Sequence, residues 1–318
     1  MPSLTNNSYK RPFPLCSGHL ETIYPALFRK LSIPFSAQHE RIFTPDSDFL
    51  DLFWYQNDSR KLVIIQHGLE GSADRPYILG MANCFLKQGF DALAWNYRSC
   101  GQEMNWTSKF YHSGATYDLD LVVRHAVPKY DEIYLVGFSL GGNLTLKYLG
   151  ESERSKKIKK AVAVSAPLDL DKGVDNLLSR RGYIYQKRFV NNLTQKVKRK
   201  HELNPDQVSL THLSKIKNVR DFDDYYTAPL HGYEDATDYY HKCSSRYFLS
   251  GIQVPTLILN AINDPILSPE SLDHQLTKDL PNVTLETSKF GGHVGFARFD
   301  QECYWSESRA VSFCNDEL

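Results

Sequence analysis

The 318-residue chain has no surplus of either charge, with 37 lysines and arginines against 37 aspartates and glutamates. That balance removes the electrostatic case for nucleic acid as a main partner, since a polyanion is held chiefly by surplus cations. No stretch approaches the roughly 18 apolar residues that a membrane-spanning helix needs. Met1 to Lys10 is polar and lacks the apolar segment of a secretory signal. The six cysteines (Cys16, Cys84, Cys100, Cys243, Cys303, Cys314) contain no C-x-x-C pair and no metal-type spacing. Free thiols in a soluble, cytoplasmic protein are therefore expected. No glycine-rich loop ends in Gly-Lys-Ser/Thr, so no nucleotide site is indicated, and neither a cofactor nor a metal is called for. Internal repeats and low-complexity tracts are also missing.

What is there is an alternation of strand-like and helix-like runs, the pattern of a mostly parallel α/β sheet covered by helices on both faces. Lys61 to Ile65, Phe90 to Trp95, Ile133 to Val136, Ala161 to Val164 and Thr256 to Leu259 are short apolar runs without alternation, which suits strands buried on both faces. Tyr77 to Gln88, Tyr117 to Ala126 and Asn143 to Leu149 read as the helices between them. The length allows a single domain over 1–318 with a substantial core. Two regions break the rhythm. Residues 1–40, with Pro12, Phe13, Pro14, Tyr24, Pro25, Phe28, Pro34 and Phe35, read as an ordered N-terminal arm. Residues 170–250 are polar and aromatic, with a helix expected over Tyr183 to Lys200, and are too long for a simple connection. They read as a helical lid insertion. Its aromatics (Tyr183, Tyr185, Phe189, Phe222, Tyr225, Tyr226, Tyr239, Tyr240) fit an acyl pocket or plain packing equally well. The basic run Lys156-Lys157-Ile158-Lys159-Lys160 reads as a solvated helix end before a strand, with peripheral contact to anionic lipid as the alternative.

Chemistry enters with Val136-Gly137-Phe138-Ser139-Leu140-Gly141-Gly142-Asn143, a G-x-S-x-G motif between a strand and a helix. The sharp turn leaves no room for side chains two positions either side of the serine, hence Gly137 and Gly141. The helix that follows aims free N–H groups at the space beside Ser139, which favours an anion forming there. A serine nucleophile needs a base, and the base needs an orienting acid, in the chain order Ser, Asp or Glu, His. Of the later histidines, His201, His212, His231, His241 and His274 lie in polar or helical stretches and read as surface residues. His293 sits in the glycine-rich loop Phe290-Gly291-Gly292-His293-Val294-Gly295-Phe296 and is the candidate base. Asp264, where a strand end passes into an Asp-Pro turn, is the candidate acid. The oxyanion donors expected are the backbone N–H groups of Leu140 and of Leu69, the latter in His67-Gly68-Leu69-Glu70-Gly71. His67 itself reads as a brace for that loop, because no second ligand stands at zinc-like spacing.

With these pieces in order, the chain resembles the α/β-hydrolase superfamily, and within it the YheT-type branch. That branch takes in bacterial YheT-like hydrolases, ABHD1/ABHD3-type proteins and yeast medium-chain ester synthase/esterases. The resemblance rests on His67-Gly68-Leu69-Glu70-Gly71-Ser72, the Ser139 motif, Asn260-Ala261-Ile262-Asn263-Asp264-Pro265 and the His293 loop. Pro14-Leu15-Cys16-Ser17-Gly18-His19-Leu20-Glu21-Thr22 is similar too, as is Asn96-Tyr97-Arg98-Ser99-Cys100-Gly101, where Ser99 replaces a usual glycine. It implies a Ser–Asp–His hydrolase of short- to medium-chain acyl esters acting on a small-molecule substrate. Alcohol acyl transfer and lysophospholipid or monoacylglycerol lipolysis would use the same groups. A non-catalytic lipid-binding protein is the reading from another class. Cys100 is expected to be structural.

Overall fold

The apolar runs earn their burial by splitting their side chains between two layers. In a computed structural model describing residues 4–6, 8–31 and 36–316, Leu62 and Ile64 enter one core layer and Val63 and Ile65 the other. Ile133 and Leu135 likewise part from Tyr134 and Val136. Successive strand residues point to opposite faces, so a sheet covered twice needs apolar residues at every position.

In chain order the elements are β1 (Leu4–Asn6), α1 (Gly18–Phe28), β2 (Gln38–Phe43), β3 (Phe49–Tyr55), β4 (Lys61–Gln66), α2 (Pro76–Leu86) and β5 (Asp91–Asn96). Next come α3 (Thr116–Ala126), β6 (Glu132–Phe138), α4 (Leu140–Glu151) and β7 (Ile158–Val164). A helical stretch follows: α5 (Leu170–Leu178), α6 (Tyr183–Leu203), α7 (Val219–Phe222), a π-helical turn (Asp223–Thr227), α8 (Ala228–His231) and α9 (Ala236–Cys243). β8 (Thr256–Ala261), β9 (Val283–Ser288) and α10 (Trp305–Cys314) complete the chain. The sheet order is β1-β9-β8-β7-β6-β4-β5-β3-β2, with β2 and β3 antiparallel to their neighbours and the other pairs parallel. α3 and α4 cover one face, through Leu119, Val122 and Leu144, and α2 and α10 the other, through Met81, Phe85 and Ala310.

The expected arm is structured within its described residues. β1 adds to the sheet edge beside β9, α1 lies against the His293 loop, and β2 already begins at Gln38. Pro34 and Phe35 lie outside the described residues. The stretch between β7 and β8 forms small cores of its own, one around Val174, Tyr239 and Tyr240, another around Val197, Phe222 and Tyr226.

Several expectations need correction. Cys84 and Cys303 form a disulfide across a separation of 219 residues, whereas Cys16, Cys100, Cys243 and Cys314 are free. Spacing could not reveal a pair that meets only after α2 and the C-terminal segment pack together. Glu307 lies close to both sulfurs, but these are bonded to each other and its carboxylate is taken by Arg29. The run Lys156 to Lys160 is not a helix end: α4 stops at Glu151 and β7 starts at Ile158. Its ammonium groups serve the chain itself, Lys157 donating to the Val127 and Tyr130 carbonyls and Lys160 to the Phe313 carbonyl. Nor is His231 a free surface residue; half-buried, its ring lies tilted against buried His112 at 4.2 Å, and burial pushes its pKa down to about 4. No helix among the described residues is long and apolar enough to cross a membrane.

Candidate active site

β6 runs straight into the turn that carries Ser139, whose backbone is held at φ 53° and ψ −119°. An L-residue rarely occupies that region, and doing so costs on the order of 1–3 kcal/mol that the surroundings must supply. The surroundings are tight. A Cβ at Gly137 would lie 2.1 Å from the Gly141 carbonyl oxygen, and one at Gly141 2.6 Å from that of His67. The Ser139 N–H donates to Val164 O at 2.9 Å, tying the turn to the end of β7.

Three residues named from the sequence meet here. His293 Nε2 stands 2.9 Å from Ser139 Oγ, and its Nδ1 stands 2.8 Å from Asp264 Oδ2. Asp264 is buried just past β8, and its Oδ1 accepts the Ile266 and Leu267 N–H groups at 2.7 and 3.1 Å. A hydroxyl, an imidazole and a buried, hydrogen-bonded carboxylate in series can pass the hydroxyl proton to nitrogen and stabilise the imidazolium that results.

The loop after β4 lies beside Ser139, where a Cβ on Gly68 would come within 3.0 Å of the serine Cβ. Gly68 N–H donates to Tyr77 OH and Glu70 N–H to Tyr111 OH, with Leu69 between these two anchored amides. Leu140 opens α4, so its N–H is among the helix donors without an intrahelical acceptor. His67 is fully buried. Burial pushes its pKa down to about 3, so the ring is neutral, donating from Nδ1 to Gly68 O and accepting the Tyr97 N–H at Nε2. It braces the loop, as its position suggested.

The layer behind these groups was not read from the sequence. Thr22 of α1 accepts the His293 N–H at 2.8 Å and donates to Gly18 O at 2.6 Å. Buried Glu21 accepts from Asn263 Nδ2 at 2.6 Å, and Asn263 Oδ1 accepts the Gly292 N–H at 3.0 Å. Arg181, between α5 and α6, donates to the Asp264 carbonyl at 2.7 Å. Asn143 bonds the Cys243 carbonyl and the Ser245 N–H, pinning the end of α9 to the serine turn. The resemblance of residues 14–22 was the one available signal, and it did not say what those residues touch.

Two cavities share Ser139 in their walls. One, of about 110 Å³, runs under the helical stretch among Leu140, Leu170, Val174, Leu193, Phe222 and Tyr240. The other, of about 340 Å³, opens between α1 and α6 among Ile23, Leu27, Tyr77, Ile184, Arg188 and His293. Among the aromatics singled out earlier, Phe189, Phe222, Tyr239 and Tyr240 line the first cavity, and Tyr185 and Phe189 the second. Tyr183 is exposed, and Tyr225 and Tyr226 belong to a core of the helical stretch. Cys100 lies 3.4 Å from Lys196 Nζ, and burial pushes its thiol up to about 11.

Residues 61–298 match the alpha/beta hydrolase fold family, and the chain belongs to it. It is 34% identical over 292 residues to YheT of Escherichia coli (strain K12), covering 87% of this chain and 84% of that protein. It is 33% identical over 265 residues to a monoacylglycerol lipase of Saccharomyces cerevisiae, covering 80% of this chain and 58% of the lipase. In three dimensions it is similar to the Pyrococcus furiosus esterase Pf2001, with a TM-score of 0.62, 20% identity and coverage of 99% and 97% of the two chains. That last likeness speaks to the fold.

Proposed function

We propose that the chain is a carboxylic ester hydrolase that works through an acyl-enzyme on Ser139. The observation that carries this is the unbroken series Ser139 Oγ, His293, Asp264, with both links within 2.9 Å. Ser139 Oγ attacks the ester carbonyl while His293 Nε2 takes its proton, and Asp264 holds the imidazole and its charged form. The Leu69 and Leu140 N–H groups receive the oxyanion, each worth on the order of 3 kcal/mol of barrier by analogy with single oxyanion donors. His293 then protonates the departing alcohol oxygen, and a water activated by the same imidazole releases the acid. The relative named a monoacylglycerol lipase and the apolar cavity beneath the helical stretch support an acyl ester substrate, and a short to medium chain is the reading that the ester series below tests. Residues 170–250 are the lid over this site. An alcohol entering in place of water would make a new ester with the same groups, and exclusion of water decides which product forms.

Hydrolysis of p-nitrophenyl esters from acetate to palmitate tests the reading. A maximum at one chain length, lost in Ser139→Ala by a factor of about 10³ or more, is expected. Turnover that survives Ser139→Ala would remove it.

A further inference from the structure

α1 carries two faces with different duties. Gly18, Glu21, Thr22 and Pro25, at helical spacing, turn inward, where Glu21 and Thr22 hold the loop of His293. Leu20, Tyr24, Leu27 and Phe28 repeat at i, i+4, i+7 and i+8 on the opposite face, and Leu27 and Phe28 are 64% and 62% exposed. The apolar stripe continues off the helix. Tyr24 packs against Phe28 at 5.2 Å and against half-exposed Phe299 at 5.4 Å. Across the cavity mouth, the first turn of α6 exposes Tyr183 and Ile184, 58% and 52% accessible. Leu27 and Ile184 both line the larger cavity, whose wall includes Ser139, so the stripe borders an entrance to the candidate nucleophile.

The polar groups at this rim are mainly cationic. Lys30 follows α1, and Arg180, Lys187 and Arg188 flank Tyr183 and Ile184; all four are exposed, with Asp300 the acid beside Phe299. Among the described residues none of these four cations forms an ion pair. Scattered exposed apolar residues need no explanation, but a stripe this continuous with a cationic margin does. A protein seated here would plug the entrance. A lipid layer would feed it.

We propose that the outer face of α1, with the first turn of α6, docks on a lipid–water interface carrying anionic headgroups, so that an acyl ester passes from the lipid layer into the cavity that reaches Ser139. The proposal rests on the ester-hydrolase reading for its purpose but not for its measurement, since docking is read without turnover. The apolar side chains enter the headgroup boundary and the lysines and arginines meet the anionic surface around them.

The test is sedimentation of the full chain with phosphatidylcholine vesicles and with vesicles containing one quarter phosphatidylglycerol, alongside hydrolysis of p-nitrophenyl acetate. Wild type is expected to sediment with the anionic vesicles and to be released by salt. Leu20→Gln/Phe28→Gln/Phe299→Gln and, separately, Lys30→Glu/Lys187→Glu are each expected to weaken sedimentation about tenfold, while p-nitrophenyl acetate hydrolysis stays within about twofold. Wild type remaining in the supernatant with both vesicle types would overturn the proposal. Variants that sediment undiminished would overturn it too. So would a wild-type dimer in solution that the triple variant turns into a monomer without vesicle binding, since the stripe would then serve a second copy. If p-nitrophenyl acetate is not hydrolysed while the anionic vesicles still bind, the ester-hydrolase reading fails and the docking surface stands.

Discussion

A serine hydroxyl keeps its proton in neutral water, and Ser139 differs from other serines only in what is held around it. The turn at φ 53° aims its oxygen at His293, and Asp264 fixes which ring nitrogen faces it. The spacing of glycines and the chain order made these three residues legible, because a strained turn excludes bulky neighbours within a few positions. Thr22 and Glu21 left no such local trace. They act on His293 across 271 residues and on Asn263 across 242, and only folding brings them together. Thr22 is a positioning residue for the imidazole, a role that small displacements penalise heavily. Thr22→Val, which keeps the shape and deletes the acceptor for the His293 N–H, is expected to lower kcat about 10- to 100-fold with KM little changed. Thr22→Ser should restore most of it. Equal losses in both variants, or a loss confined to KM, would refute the assignment. Ser99 is a smaller case: it holds φ 60°, the conformation for which glycine is the natural choice, so the departure from the family pattern is absorbed by local strain.

At the scale of elements, the helical stretch is fastened to the loop beside Ser139 by one buried pair. Lys196 of α6 bonds Glu70 Oε1 at 2.6 Å, and Tyr111 donates to the same oxygen while accepting the Glu70 N–H. Glu70 sits at φ 54° next to Leu69, so α6 and the proposed oxyanion donor share one connection. Burial disfavours charge on Lys196, but Cys100 and Glu70 outweigh it and hold its pKa above the usual value, so the cation persists at neutral pH. Lys196→Met leaves Glu70 buried without its partner, which costs several kcal/mol unless the loop moves. The expected outcome is a kcat lowered about tenfold or more, with slower phosphonate acylation of Ser139, and recovery in Lys196→Arg. An unchanged kcat in Lys196→Met would show that the loop is set without α6. The sequence announced both elements, the loop by its glycines and α6 by its length, but not their contact, which depends on how the helical stretch folds back over the sheet.

The whole molecule buries two imidazoles outside the Ser139 series, His67 and His112, and half-buries a third, His231. Burial holds His67 at about 3 and His231 at about 4, and His112 well below its ordinary value. These groups are neutral in the folded chain but take protons near pH 6.5 once unfolded. Below that pH the unfolded state binds more protons, so stability falls as pH drops from 6.5 toward 3 and is complete above 6.5. For His67 alone the loss amounts to about 5 kcal/mol across that window. Thermal unfolding from pH 7 to pH 4 should show Tm dropping steeply below 6.5, and less steeply in His67→Gln; parallel curves would refute the assignment. The sheet was readable because short apolar runs between turns have few other uses. The disulfide, the edge strand β1 and the inward turn of His231 were not, because each depends on segments that are remote in the chain.

The central claim is that Ser139 is the nucleophile, and covalent labelling tests it most directly. The chain is incubated with a fluorophosphonate, its intact mass measured, and the modified peptide mapped. A single adduct on the Ser139 peptide is expected, absent in Ser139→Ala and formed much more slowly in His293→Ala. No adduct on a folded chain, or an adduct elsewhere with ester turnover intact in Ser139→Ala, would contradict it.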